Sequence, residues 1–258
     1  MLFDVQDIEI FALMLIRVTA AITAMPIFGQ RGIPKTVKVG FGVILTLLLV
    51  PVIPQSGYAP QGALLGLFVL AVRETICGLL IGYAANFVFY AVDFAGAIVG
   101  YQTGFAMAAS IDPMTNARNP ILGRVQYVMV VLIFLTLNGH HFLITGLARS
   151  FETIPLGVFQ FDRPLLAWTV SMAAGISETA VMLAAPVMVS LLLTDVGLGI
   201  LARIAPQMNI FVVGFPLKVG LVLLLMSSGM GAFAWFFTRH FAEFRVQYLA
   251  LMKLLGPA

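Results

Sequence analysis

Charge is what this sequence has least of. Only 10% of its 258 residues are Asp, Glu, Lys or Arg, while 61% are hydrophobic and the mean hydropathy is +1.05. A soluble domain carries about a quarter charged residues, which cover its surface in water. The shortage of charge therefore excludes an ordinary soluble domain and predicts an integral membrane protein. The net charge of +3 is small and gives no reason to expect nucleic-acid binding.

Cysteine and the usual signatures of catalysis are scarce as well. Cys77 is the single cysteine, so we expect a small buried packing residue and no internal disulfide. The sequence has no P-loop, and the glycine pattern at 197–202 follows no predicted strand and lacks the acidic residue that dinucleotide binding needs. His140 and His141 have no Cys or carboxylate cluster beside them, which argues against a zinc site. We expect no catalytic residue, no cofactor and no metal.

Long apolar runs dominate the sequence, at 8–28, 39–53, 62–92, 121–137, 165–193 and 210–237. A helix that crosses a bilayer needs about 20 apolar residues, so most runs are long enough and 62–92 exceeds one crossing. No strand-like alternation competes with them. The predicted fold class is all-α, a polytopic membrane protein of long apolar helices and helical hairpins. Pro186 lies inside a run and predicts a kink or a break there.

The basic residues give conflicting orientations. Three of them lie between 31 and 38 with no acid, which indicates a cytoplasmic first loop. Six crossings would then place the C-terminal tail on the far side of the membrane. The tail, however, carries three basic residues in 239–253 and one acidic residue, Glu243, and this excess of basic residues indicates the cytoplasmic side. Either the number of crossings is not six, or some apolar helices do not cross a bilayer in the ordinary way.

Glycines recur at four-residue spacing inside the runs. Gly78 and Gly82 form one such pair, and Gly96, Gly100 and Gly104 form two consecutive pairs. This spacing keeps them on one helix face, where two backbones can approach closely. The close contacts lie either between helices of this chain or against other subunits, and the spacing does not separate the two.

Charged residues inside or at the edge of the apolar runs are the candidate functional groups. A charge at membrane depth costs at least about 2.5 kcal/mol, so it normally pairs or faces a wet pathway. Pairing, within the chain or with another subunit, is favoured over a proton or solute pathway because the acids are spread thinly. Neighbouring positions lie about 100° apart on a helix, so positions 73 and 74 should pair with different groups. The candidates are Arg17, Arg73, Glu74, Glu178 and Lys218.

Four motifs, in order along nearly the whole chain, resemble the FliR family, the export-gate subunit of the bacterial flagellar type III secretion system. An injectisome subunit of the SctT type is the close relative and the alternative. The motifs are PIFGQRGIPKTVKVGFGVILTLLLVPVIP at 26–54, GYQTGFAMAASIDPMTNARNPILGR at 100–124, LIFLTLNGHHFLITGLARSFETIPLG at 132–157 and GLGILARIAPQMNIFVVGFPLKVG at 197–220.

This resemblance implies a non-enzymatic subunit of the inner-membrane export gate in the flagellar basal body. One copy would join five copies of FliP and four of FliQ, with FlhB and FlhA as neighbours, and pass unfolded flagellar proteins. Within a single membrane-embedded domain, 1–258, residues 1–155 would be FliP-like and 160–258 would form a FliQ-like hairpin. The alternatives from other classes are a transporter of small solutes or ions, for which no inverted repeat is found, and a purely structural membrane scaffold.

The resemblance further implies that residues 105–118 form a plug that closes the channel. Adaptable methionines, small residues and a helix-ending proline suit that role. A plain loop between two helices is the alternative. The predicted plug residues are Phe105, Ala106, Met107, Ala108, Ala109, Ser110, Ile111, Asp112, Pro113 and Met114.

Overall fold

The computed structural model describes residues 5–30, 32–53, 64–104, 121–159 and 163–256. Throughout these ranges the regular structure is α-helical, with no strand, which confirms the predicted all-α class. The helices are α1 (Val5–Ala24), α2 (Lys35–Leu49), α3 (Leu64–Ala85), α4 (Phe87–Thr103), α5 (Ile121–Thr136), α6 (Gly139–Thr153), α7 (Arg163–Ile204), α8 (Ile210–Ser228) and α9 (Met230–Leu255).

Asparagine or glycine residues lie where the apolar runs are divided. The run 62–92 is not one helix, because Asn86 separates α3 from α4 and its side-chain amide donates to the carbonyls of Ala24 and of Gly82. The run 121–137 ends at Asn138, which adopts the left-handed conformation (φ 54°) that asparagine tolerates better than most residues. The run 210–237 is divided at Gly229.

Helix α7 is longer than the sequence pattern indicates. It continues through Pro186 as one helix of 42 residues, so the predicted break is absent. The proline ring lies on an exposed face of the helix, and its carbonyl accepts a 2.8 Å hydrogen bond from Ser190 Oγ. At 1.5 Å per residue the helix is about 63 Å long, roughly twice the hydrocarbon thickness of a bilayer. Part of α7 therefore extends beyond a perpendicular crossing.

Two of the described helices, α3 and α7, are long and apolar enough to cross a membrane. Two bent pairs add up to two more crossings if each pair counts as one. They are Gly123–Thr136 with Gly139–Thr153, bent by 69°, and Val212–Ser228 with Met230–Leu255, bent by 62°. The described residues therefore provide two to four candidate crossings rather than six.

The chain forms two compact units. The first contains residues 1–87, 135–172 and 242–258, and the second contains 88–134 and 173–241. In the first unit α1 packs against α3 and α2, and an aromatic cluster of Phe142, Phe244 and Tyr248 joins α6 to the last turns of α9.

The second unit has an aliphatic core and an aromatic one. The aliphatic core joins α4, α7 and α8, and the aromatic one joins α4, α5 and the first turns of α9. The aliphatic core consists of Ala95, Val99, Ala180, Ala184, Val187, Leu191 and Val222, and the aromatic one of Phe89, Phe134, Phe237 and Phe241.

Candidate functional site

A buried ion pair joins α1 to α3 in the first unit. Arg17 and Glu74 are both 0% exposed, and the Arg17 Nε group contacts a Glu74 carboxylate oxygen directly. A second hydrogen bond, of 3.0 Å, runs from Arg17 Nη2, on the same edge of the guanidinium, to Glu74 Oε1. Two parallel N–H to oxygen bonds are the strongest form of this pair and fix its geometry. Arg17 and Glu74, two of the charges predicted from the sequence, lie 57 positions apart and therefore neutralise each other.

The remaining donors of Arg17 bind the end of α6. Its Nη1 group donates to the backbone carbonyl of Ser150 at 3.2 Å and to that of Ile154 at 2.9 Å. The guanidinium carbon lies 4.5 Å from the centroid of the Phe151 ring, within cation–π range. The Ser150 carbonyl also accepts the backbone N–H of Ile154 at 2.8 Å, and the last carbonyls of a helix carry partial negative charge. A buried cation at this place therefore stabilises the α6 terminus.

Glu74 and Arg73 both bind the loop that follows α6. The backbone N–H of Gly157 donates to Glu74 Oε1 at 2.7 Å, and Arg73 Nη1 donates to the Gly157 carbonyl at 2.9 Å. Gly157 has a φ of +77°, which few other residues adopt, and a Cβ there would lie 2.7 Å from a Leu70 methyl carbon. The neighbouring charges thus bind different groups: Arg73 binds the Gly157 carbonyl, and Glu74 binds the Gly157 N–H and Arg17.

The Gly157 network, as we call the contacts of Arg17, Arg73 and Glu74 around that loop, has the character of a structural site. Arginine stays charged in proteins, so it does not exchange protons, and the buried carboxylate already accepts three hydrogen bonds. Cys77 lies one turn farther along α3 and is 0% exposed. Within the described part of the chain, no group of three or more His, Cys, Asp or Glu could hold a metal ion.

The other two candidate charges lie in the second unit. Lys218, on α8, forms an ion pair with Asp195 of α7 and donates to the Gln102 carbonyl of α4 at 3.3 Å. Glu178 is exposed on α7 and has no partner among the described residues. Asp195 was not among the sequence candidates, because nothing in the local pattern links it to a lysine 23 positions away on another helix.

The glycines of α3 contact α1 closely. A Cβ on Gly82 would lie 2.5 Å from the Ala21 carbonyl oxygen and 2.5 Å from the Ala24 Cβ. A Cβ on Gly78 would lie 2.4 Å from the Arg17 carbonyl oxygen and 2.9 Å from the Ala20 Cβ. No side chain fits these positions without moving a backbone. The spacing therefore brings α1 and α3 near enough for Arg17 to reach Glu74.

The three glycines around α4 have different surroundings. A Cβ on Gly96 would lie 2.5 Å from the Cα of Gly123, so α4 and α5 also approach closely. Gly100 is buried, and its carbonyl accepts a 2.9 Å hydrogen bond from the Thr103 hydroxyl. Gly104 follows the helix with a φ of +92° and ends it.

Comparison with known proteins identifies a family that covers most of the chain. A family model described as bacterial export proteins, family 1, matches residues 8–244. The chain belongs to this family. The resemblance stated from the four motifs is therefore confirmed.

Three relatives of the chain are informative. The flagellar biosynthetic protein FliR of Escherichia coli (strain K12) is 35% identical over 229 residues, covering 89% of this chain and 87% of that protein. The protein of the same name from Bacillus subtilis (strain 168) is 34% identical, with 84% of each chain covered. The Yop proteins translocation protein T of Yersinia pestis is 28% identical, again with 84% of each covered.

In this family member the predicted plug residues, 105–114, and the stretch to 118 lie outside the described residues. What the structure does describe is the two sides of that stretch, the end of α4 at Thr103 and the start of α5 at Ile121. The site residues that are described therefore divide into the Gly157 network of the first unit and the Lys218 contacts of the second.

Proposed function

We propose that this chain is a non-enzymatic subunit of the type III protein export gate of the bacterial flagellum, located in the inner membrane at the basal body. The observation that carries the proposal is the similarity to FliR, which extends over 89% of this chain and 87% of the Escherichia coli protein. Similarity of that extent supports a shared role for the whole chain rather than one shared segment.

Flagellar use is favoured over injectisome use. The two relatives named flagellar biosynthetic protein FliR are 35% and 34% identical, whereas the Yersinia pestis translocation protein is 28% identical over a similar length. The injectisome subunit is the second candidate, because that protein aligns with 84% of this chain.

The bonding of the buried charges supports a structural gate subunit over a solute or ion transporter. A proton or ion pathway needs groups that are reachable from water and able to release their partner. Arg17 and Glu74 are 0% exposed and bind each other and the backbone. They hold helices in contact and do not form a relay for protons or ions.

The exposed apolar surface supports an assembly with other subunits. In the most apolar stretch of α3 and in that of α7, only 22% of the residues are buried. This surface is available to lipid and to neighbouring chains. We propose as its neighbours five copies of FliP and four of FliQ around one copy of this chain, with FlhB and FlhA nearby. In that assembly residues 1–155 form the FliP-like part and 160–258 the FliQ-like hairpin.

The mass of the purified complex tests the proposed assembly. The chain is co-expressed with its membrane partners, purified in detergent and measured by native mass spectrometry. The expected result is one complex that contains a single copy of this chain with five and four copies of the two partners. A stable monomer or homodimer that transports a solute after reconstitution would contradict the export-gate proposal.

We further propose that residues 105–118 close the gate at rest. Flexible methionines adapt to varied surfaces, and the short polar loop that begins at Asp112 and Pro113 interrupts the apolar sequence. Unfolded flagellar proteins of differing sequence need a passage that adapts without strong adhesion. Opening would displace this stretch and let the substrate pass.

The ionic conductance of the assembled complex tests the proposed plug directly. Deletion of residues 107–116 in the assembled complex is expected to raise the ionic conductance of a planar bilayer above that of the intact gate. A second variant keeps the length but replaces these ten positions with Gly and Ser, which separates loss of the side chains from shortening of the connection. Unchanged conductance in both variants, at equal amounts of assembled complex, would contradict the plug and favour a plain scaffold loop.

A further inference from the structure

Glu178 differs from the other four charges that the sequence predicts as candidates. Those four have partners within their own unit: Arg17 with Glu74, Arg73 with the Gly157 carbonyl, and Lys218 with Asp195. The Glu178 side chain is exposed and forms no hydrogen bond or ion pair with the described part of the chain. It lies 15 positions after Arg163, about 22 Å from the first residue of α7. Glu178 is therefore an exposed acid well inside a long apolar helix.

The surface around Glu178 is apolar. At about 100° per residue, positions 4, 11, 18 and 22 residues farther along α7 lie within about 40° of Glu178. These positions are the exposed residues Met182, Val189, Val196 and Ile200. With Glu178 they form what we call the outer face of α7. The residues that α7 contributes to the aliphatic core of the second unit lie about 120° or more away from Glu178 around the helix.

Lipid alone does not cover the exposed apolar surface of α7. Exposed large hydrophobic residues occur along the helix from Leu166 to Ile204, a length of about 57 Å. A hydrocarbon core of about 30 Å covers about 39 Å of a helix even at a tilt of about 40°. At least about 18 Å of exposed apolar helix therefore lies outside the hydrocarbon core. Apolar surface of that extent in water is typical of a protein–protein contact.

A covered outer face needs a base beside Glu178. Whatever packs on Met182 and Val189 also withdraws the neighbouring carboxylate from water. An ionised carboxylate without water or a partner is strongly unfavourable, and lipid tails provide neither. The part of the chain that the structure describes supplies no base at this position. The charge that complements Glu178 must therefore belong to the molecule that covers the face.

We propose that the outer face of α7 docks against an apolar helix of a different subunit, which places a Lys or Arg side chain against Glu178. The inference rests on the proposed function, because it takes that subunit from the proposed assembly. It adds the place of the contact and the chemistry that its partner needs. A second copy of α7, packed parallel and in register, would set two Glu178 carboxylates against each other, which like-charge repulsion disfavours.

Competition for the complex tests the role of the charge. The proposed complex contains one copy of this chain, so a tagged variant and the wild-type chain, co-expressed with limiting partners, compete for one place. Loss of one member of a desolvated ion pair between subunits weakens binding by at least about tenfold. We therefore expect Glu178→Lys to enter the purified complex at least about tenfold less often than the wild-type chain. Glu178→Gln, which keeps one acceptor oxygen and adds no repulsion, is expected to show a smaller loss.

Glu152→Lys and Glu152→Gln are the matched controls, because Glu152 is an exposed acid on α6, away from the outer face. Both are expected to enter the complex about as often as the wild-type chain. The unfolding midpoint of the isolated chain should be the same with Glu178→Gln as without it, which separates docking from folding. Equal incorporation of the variants at 178 and 152 would overturn the proposal.

Crosslinking identifies what covers the outer face. A photoreactive p-benzoylphenylalanine is placed at Val189 or Val196 of the chain in the assembled complex. The expected product joins this chain to a different subunit, and mass spectrometry of the crosslinked peptide locates the helix that carries the base. Crosslinks only to lipid, or only to a second copy of this chain, would overturn the proposal.

An exchange of charges tests the ion pair itself. Replacement by Glu of a Lys or Arg within one helical turn of the crosslinked peptide is expected to restore incorporation of Glu178→Lys. Failure of every such replacement would overturn the pair. A wild-type chain that forms no complex with its partners would refute the proposed function together with this inference. A normal complex into which Glu178→Lys enters as often as the wild-type chain would refute only the inference.

Discussion

The Glu74→Gln substitution tests the Gly157 network most directly. It keeps the size of the side chain and withdraws the charge that faces the Arg17 guanidinium. Since Arg17 is 0% exposed and arginine does not lose its proton in proteins, the variant contains a buried cation without a counter-charge. The Gly157 N–H and the guanidinium then compete for one amide oxygen.

The magnitude follows from the burial of the pair. Removal of one partner from a buried, hydrogen-bonded ion pair costs about 3–5 kcal/mol. Glutamine retains one acceptor oxygen, so we expect the lower end, about 3 kcal/mol. For a chain of this size each kcal/mol lowers the unfolding midpoint by about 2–4 °C, which gives a fall of roughly 6–12 °C.

Glu178→Gln is the matched control, because the same change is made at an exposed carboxylate without a described partner. It is expected to alter stability by no more than about 0.5 kcal/mol. Thermal unfolding of the detergent-solubilised protein, followed by tryptophan fluorescence, measures both variants. In Arg17→Met with Glu74→Gln no buried charge is left unpaired, so the double variant should be more stable than the sum of the two single losses. Equal midpoints for the variants at 74 and 178, or strict additivity at 17 and 74, would refute the reasoning.

Two further predictions concern packing in the first unit. Gly82→Ala places a Cβ 2.5 Å from the Ala21 carbonyl oxygen and should cost about 1–3 kcal/mol by overpacking, whereas Gly40→Ala, with nothing within 4 Å, should be neutral or slightly stabilising; equal unfolding midpoints would contradict the close α1–α3 contact. Cys77, at 0% exposure, should resist N-ethylmaleimide in the native protein and react fully after denaturation; rapid labelling of the native protein would contradict its burial.

Features that depend on short-range spacing could be predicted from the sequence. Four-residue glycine spacing put Gly78 and Gly82 on one face, and that face does approach α1 closely. The free-energy cost of charge in an apolar run singled out Arg17 and Glu74 before any partner was known. Helical class followed from run length and the absence of strand-like alternation.

The partners themselves depend on tertiary contacts that no local pattern specifies. Glu74 binds the backbone N–H of Gly157, 83 positions away, and a backbone amide carries no residue-type signal at all. Asn86 lies at the end of α3 and donates a hydrogen bond to the Ala24 carbonyl of α1. Hydropathy therefore cannot predict that the run 62–92 is divided there. The break that Pro186 allowed is absent, because a proline on an exposed helix face does not have to end the helix.

The motifs that carry the family resemblance coincide with the places where the chain binds itself. Motif 132–157 supplies the carbonyls and the glycine that Arg17 and Glu74 bind in the first unit. Motif 197–220 supplies the lysine that binds the end of α4, in motif 100–124, within the second unit. Three of the four motifs thus contribute to contacts that hold helix ends in place, and the exposed apolar surfaces of α3 and α7 lie largely outside the four motifs. Substitutions that disturb helix ends should therefore impair gating and folding first, while conservative apolar changes on the exposed faces should be tolerated until they alter subunit contacts.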